Sequence, residues 1–195
     1  MIKAIIFDCF GVLYVDASHD FYENQVPHYE KLRSALMELN KASDYGLITQ
    51  DEWTRQVSET TGLPLVFVRQ NIQRTNIRNK QLLEYTQQLR TRYKVGMLSN
   101  IGKGAMDQFF AAEERKELFD TVVLSSEIGL TKPHPEIFRL TAERLGVQPG
   151  ECVMIDDLEE NCSGADAAGM QAIHYRTNKQ TIRDLAAILE EDKHA

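Results

Sequence analysis

The sequence predicts an α/β fold: a parallel sheet core with helices on both faces and a helical insert after the first strand. Three observations carry this prediction. Five short apolar runs end in small or acidic residues: "KAIIFD" (3–8), "KVGMLSN" (94–100), "TVVLSS" (121–126), "CVMIDD" (152–157) and "QAIHY" (171–175). Helical patterns lie between and after the later runs, at about 103–117, 134–145, 159–168 and 178–191, and such alternation belongs to an open parallel sheet. Residues 16–90 break the rhythm, with helical periodicity and no convincing apolar strand.

The elements follow in order. Ile5-Ile6-Phe7 is apolar without alternation, as expected of a strand covered on both faces. In the insert, one helix pattern spans about 28–41 and stops at a turn around Asp44-Tyr45-Gly46. A second begins at Thr49 as N-cap, with Glu52 at the capping-box position and Gly62 and Pro64 closing it. A third runs over about 65–72 and a fourth over about 79–93. The expected division is therefore a core of 1–15 and 90–195 and an insert of 16–89. Beyond it, "HPEIFRLTAERLGV" sets Ile137, Leu140, Thr141, Arg144 and Leu145 at helical spacing, with Gly146 placed as a C-terminal cap.

The totals limit the function classes. A chain of 195 residues has room for one domain carrying an insert. The net charge of −7 argues against a nucleic-acid footprint, but one local basic pocket remains compatible with it. No apolar run reaches the roughly 18 residues of a membrane span, and the N-terminus leads straight into a strand without a secretory leader. Cys9, Cys152 and Cys162 are odd in number and lack metal-type spacing, so a reducing cytoplasm is expected.

Polar residues collect at four strand ends: Asp8, Ser99-Asn100, Lys132 (in the segment after the third run), and the pair Asp156-Asp157. In a parallel sheet these ends share one rim. A carboxylate nucleophile, hydroxyl and amide donors, one lysine and two further carboxylates describe a phosphoryl-transfer site. Hard oxygen donors of this kind suit Mg²⁺, and the lysine offsets the charge of nucleophile and phosphate.

The order Asp8, Ser99, Lys132-Pro133, Asp156-Asp157 resembles the four motifs of the haloacid dehalogenase superfamily, over about 1–15 and 90–176. It is most similar to subfamily I, whose helical C1 cap follows the first strand and whose fourth motif ends in paired acids. That resemblance implies a Rossmann-like core, an Mg²⁺ cofactor and a small phosphorylated metabolite as substrate. It implies that Asp8 attacks phosphorus and becomes an aspartyl-phosphate, with Ser99 and the Asn100 backbone holding the phosphate and Lys132 bridging the two. Metal ligands would be Asp8, the Phe10 backbone carbonyl and Asp157, with Asp156 beside it. Asn161 would support the metal shell or the lysine.

The departure is Phe10. Most phosphatases of this family carry there a second Asp that protonates the leaving alcohol, help typically worth about 10²–10⁴-fold. Several explanations compete. The family's dehalogenases put an aromatic residue at this slot, but they lack the acidic pair. Carbon–phosphorus cleavage through a cap lysine imine would draw on Lys31 or Lys41. A phosphatase without the acid would need an easy leaving group or a proton borrowed from a cap residue or metal-bound water. A relative that binds phosphate without turnover is the non-enzymatic reading.

Other residues read more plainly. Cys9 is expected to be a buried apolar residue, His134 to sit at a helix start, and His174 to be structural. Trp53 and Phe21-Tyr22-Tyr29 read as the core of the insert. His19 and His28 lie near its entrance, and Asp16–Tyr22 is the stretch expected to carry specificity.

Overall fold

The computed structural model describes residues 1–15, 18–74 and 77–192. Five strands form one all-parallel sheet: β1 (Ala4–Phe7), β2 (Lys94–Ser99), β3 (Thr121–Leu124), β4 (Cys152–Asp156) and β5 (Gln171–His174), in the order β3-β2-β1-β4-β5. In register, Phe7 pairs with Met97 on one side and Ile155 on the other. The chain builds outward from β1 to β3 and then crosses to the other side of β1. The switch point between β1 and β4, where a crevice opens in such sheets, therefore lies between Asp8 and Asp156.

Strand alternation sorts the core into two layers. Ile5, Phe7, Met97 and Ile155 face one cluster, and Ala4, Ile6, Leu98 and Met154 face the other. The second layer is covered by α8 (Pro135–Leu145) and α9 (Glu159–Ala168), through Ile137, Phe138 and Ala165. The first is covered by α6 (Ala112–Leu118) and α10 (Asn178–Glu191), through Leu118, Leu185 and Leu189. The single-turn helix α7 (Ser125–Ile128) follows β3.

Between β1 and β2 the chain inserts α1 (Ser18–Gln25), α2 (Tyr29–Asp44), α3 (Gln50–Thr61), α4 (Leu65–Arg74) and α5 (Lys80–Leu89). Phe21, Tyr22, Val26, Leu36, Val57 and Val68 give α1–α4 a core of their own, with Trp53 and Tyr29 packed on it. The capping box of α3 forms as expected: the Glu52 backbone N–H donates to Thr49 Oγ1 and the Thr49 N–H donates back to the Glu52 carboxylate.

Two expectations are revised. The helix expected over 79–93 is shorter and packs Leu82, Leu83 and Leu89 into the sheet cluster rather than into the insert's core. Burying three leucines, at about 1.5–3 kcal/mol each, ties α5 to the sheet. The helix expected over 103–117 is broken into a 3₁₀ turn at Met106–Gln108 and α6. The Phe109 carbonyl accepts from Arg78 Nη2 (2.7 Å) and from the Tyr14 hydroxyl, and is bound by side chains where a continuous helix would need it.

The two connections between insert and core pair with each other. The Val15 N–H donates to the Ile77 carbonyl and the Asn79 N–H to the Leu13 carbonyl, each at 2.9 Å. Asn79 Nδ2 reaches the Val12 carbonyl and Asn178 Oδ1, while Asn79 Oδ1 caps α5.

Candidate active site

Asp8 follows β1 and is 6% exposed. Lys132 approaches from the loop before α8, 4% exposed, and its Nζ lies 2.8 Å from Asp8 Oδ2 and 2.5 Å from Asp156 Oδ2. Asn100 fixes that loop: its amide donates to the Lys132 carbonyl (3.0 Å) and its oxygen accepts from the Lys132 N–H (2.9 Å). Asp156 Oδ1 accepts from Asn161 Nδ2 (2.9 Å) and the Leu158 N–H (3.0 Å), so both of its oxygens are engaged. Asp157 lies against the turn after β1. That turn requires Gly11, whose φ is +79° and whose Cβ would stand 2.2 Å from Asp157 Oδ2.

The charges explain one another. Burial pushes the Asp8 carboxyl up to about 8, with Asp156 and Asp157 adding to the rise and Lys132 opposing it. Burial works against the Lys132 ammonium, yet the flanking Asp8 and Asp156 outweigh it and hold its pKa above the ordinary lysine value. Asp8, Asp156 and Asp157 each bring a carboxylate oxygen within 4.8 Å of the others. Three carboxylates this close, with one lysine among them, form a donor set suited to a hard divalent cation. Among the described residues no hydrogen-bond donor meets the Phe10 carbonyl, so that oxygen is compatible with the same role.

These residues border a cavity of about 460 Å³ between sheet and insert. Asp8, Phe10, Asn100, Lys132, Asp157 and Asn161 line it from the core, and Ser99 and Asp156 are fully buried beside them. The Ser99 hydroxyl is fully buried, with a single long contact of 3.5 Å to the Asn100 carbonyl. From the insert come Phe21, Tyr22, Asn40, Asp44, Gln50 and Trp53. Asn40 Oδ1 accepts from the Tyr22 hydroxyl (2.7 Å) and Trp53 Nε1 (2.9 Å), leaving the amide nitrogen as a donor on the wall. The Phe10 ring packs edge-on against Phe109 at 4.8 Å.

A match to the haloacid dehalogenase-like hydrolases spans residues 2–169. The chain belongs to that family. Among curated relatives, the chain is 47% identical over 62 residues to a glyceraldehyde 3-phosphate phosphatase of Methanopyrus kandleri, over 31% of this chain and 27% of that one. It is 41% identical over 61 residues to a fructose-1-phosphate phosphatase of Escherichia coli, over 31% and 32%. These curated matches span less than half of either relative's length. Among solved structures, a HAD-family enzyme of Bacteroides thetaiotaomicron in a magnesium complex superposes with a TM-score of 0.73 at 25% identity, over 91% of this chain and 94% of that one.

The remaining sequence expectations find their places in the fold. Cys9 is fully buried in the sheet cluster, and burial raises its thiol well above the usual range. His134 Nδ1 accepts from the Glu136 N–H as the N-cap of α8. His28 is exposed at the turn before α2, outside the cavity lining. Phe21 and Tyr22 reach the cavity, but Asp16 and the His19 side chain lie outside the described residues. Trp53, Phe21 and Tyr22 serve both the insert's core and the cavity wall. His174, expected to be structural, places its Nε2 2.8 Å from the Asp157 carbonyl. Sequence reasoning missed Asn40, Asp44 and Gln50 as lining residues. Single polar residues on an amphipathic helix carry no local signal of this kind.

Proposed function

We propose that the chain is a divalent-cation-dependent phosphatase acting on a small phosphorylated metabolite through an aspartyl-phosphate on Asp8. The observation that carries this reading is Lys132, held between Asp8 and Asp156 inside a three-carboxylate cluster. Asp8 would be the nucleophile, Lys132 the counter-charge for nucleophile and phosphoryl oxygens, and Ser99 with the Asn100 backbone the phosphate donors. Asp8, Asp157 and the Phe10 carbonyl would hold Mg²⁺. Asp156, committed to Lys132, Asn161 and the Leu158 N–H, acts on the cation from behind. A bound divalent cation supplies charge neutralisation for the in-line displacement.

A phosphorylated sugar suits the cavity best. Its volume accommodates a small metabolite, Phe21, Tyr22 and Trp53 offer flat apolar surface, and Asn40 and Gln50 offer amides to hydroxyl groups. The activities of the two curated relatives, on glyceraldehyde 3-phosphate and fructose 1-phosphate, support the same class. The insert, α1–α4, would then serve as a cap that shields the first step from water.

Phe10 is the one observation that favours haloacid dehalogenation. The acid cluster weighs against it, because three adjacent carboxylates repel one another unless a cation or protons intervene. One assay decides among the readings: phosphate release from a panel of sugar phosphates and from p-nitrophenyl phosphate, with chloride release from 2-chloroalkanoates alongside. Phosphate release that requires Mg²⁺ and is abolished in Asp8→Asn is expected. Chloride release without metal would replace this reading with dehalogenation, and Mg²⁺ binding with no turnover of any phosphate would replace it with a binding role.

A further inference from the structure

A phosphatase that transfers its phosphoryl group to Asp8 must also protonate the departing oxygen of an alkyl phosphate, and position 10 offers no proton. The Phe10 ring is packed on Phe109 and cannot be replaced in that role by its neighbours. Asp156 is bound to Lys132, Asn161 and the Leu158 N–H, Asp157 belongs to the carboxylate cluster beside the nucleophile, and Glu160 is exposed in the first turn of α9 on the core side. In-line attack sends the leaving group away from Asp8, towards the insert. Among the described residues of the insert that line the cavity, the one carboxyl is Asp44, and no histidine or lysine accompanies it.

Asp44 is held in place by its neighbours on the seam. Its backbone carbonyl accepts from Ser125 Oγ at 2.6 Å, and the same Ser125 oxygen receives the Ile101 N–H at 3.0 Å, joining the end of α2 to the loop after β2. Two residues on, Gly46 (φ +71°) lies so close to the Ser126 carbonyl that a Cβ would stand 2.3 Å from it. The Asp44 carboxyl itself makes no hydrogen bond among the described residues, so both oxygens remain available to a substrate.

We propose that Asp44 donates the leaving-group proton that Phe10 cannot supply. The proposal rests on the phosphatase reading. As Asp8 Oδ attacks phosphorus, the bond from phosphorus to the leaving oxygen breaks and the Asp44 proton passes to that oxygen, releasing the neutral alcohol. Asp44, now a carboxylate, takes a proton from water as the water oxygen attacks the aspartyl-phosphate. The bond to Asp8 breaks, phosphate leaves, and both side chains return to their starting states. Burial supports this role by raising the Asp44 carboxyl to about 6, with Lys132 opposing the rise, which keeps a protonated fraction near neutral pH. Lys132 faces Asp44 from the core, while Lys41 of its own helix and Tyr45, the C-cap of that helix, share an outer cavity with it.

The test compares kcat/KM, which reports leaving-group departure, for Asp44→Asn and wild type on p-nitrophenyl phosphate and on alkyl sugar phosphates. p-Nitrophenolate leaves without protonation, whereas an alkoxide does not. The isosteric change is expected to lower kcat/KM on alkyl phosphates by about 10²–10³-fold while costing less than about fivefold on the aryl ester. A thermal melt and competitive inhibition by vanadate check that fold and phosphate site are intact. Equal loss on both substrates, or no loss on either, overturns the proposal and leaves the phosphatase reading standing. A wild type inactive on every phosphate with Mg²⁺ present overturns both.

Discussion

Gly11 shows how tightly one residue sets the geometry of this site. Its left-handed backbone turns the chain directly after Phe10, and the absent side chain is what lets the Asp157 carboxylate close against that turn. Gly11→Ala must strain the backbone, at about 1–2 kcal/mol for a Cβ in the left-handed region, and push Asp157 aside. Displaced ligand supports typically cost about 10–100-fold in metal affinity. Calorimetric titration with Mg²⁺ is therefore expected to show at least about tenfold weaker binding, and unchanged affinity would show that Asp157 does not contribute. Asp8, Ser99-Asn100 and Asp156-Asp157 were readable because each sits at a strand terminus, where position in sequence and position on the rim coincide, whereas Lys132 comes from the loop before α8. The partner of His174 was not readable: it is the backbone carbonyl of Asp157, just past the end of β4, and no spacing rule connects the two.

The same contrast holds for elements. The central strands β1, β2 and β4 were visible because a buried parallel strand is a continuous apolar run, the partly exposed edge strands β3 and β5 as shorter runs beside them, and α3 because its capping box is local chemistry. The break before α6 was invisible, since it depends on Tyr14 and Arg78 reaching the Phe109 carbonyl from a distant part of the chain. So was the side taken by α5, whose leucines fit either core by composition alone. The capping box also yields a prediction. Thr49→Ala removes the acceptor of the Glu52 N–H at the start of α3, a loss worth about 0.5–2 kcal/mol. Because α3 brings Gln50 and Trp53 to the cavity, the frayed first turn is expected to raise KM for a sugar phosphate more than it lowers kcat. A urea melt and steady-state kinetics measure the two effects, and an unchanged midpoint would assign the box no weight.

For the whole molecule, fold and chemistry meet at the β1–β4 switch point, where the buried acidic cluster is built into the native state and absent from the unfolded chain. A cation that binds the cluster must therefore stabilise the protein as a whole. At a free concentration one hundred times its dissociation constant the gain is about 2.7 kcal/mol. In a domain of this size each kcal/mol moves Tm by about 2–4 °C, so saturating Mg²⁺ is expected to raise Tm by about 5–11 °C and a chelator to reverse the shift. Asp157→Asn separates specific coordination from general screening. It removes one ligand charge at the cavity wall but leaves Lys132, Asp156 and Asn161 in their hydrogen-bonded arrangement. The variant is expected to lose most of the Mg²⁺-induced shift while melting within a few degrees of the metal-free wild type. A shift of equal size in the variant and the wild type would mean that the cation acts elsewhere, and the carboxylate cluster would lose its assignment as the metal site.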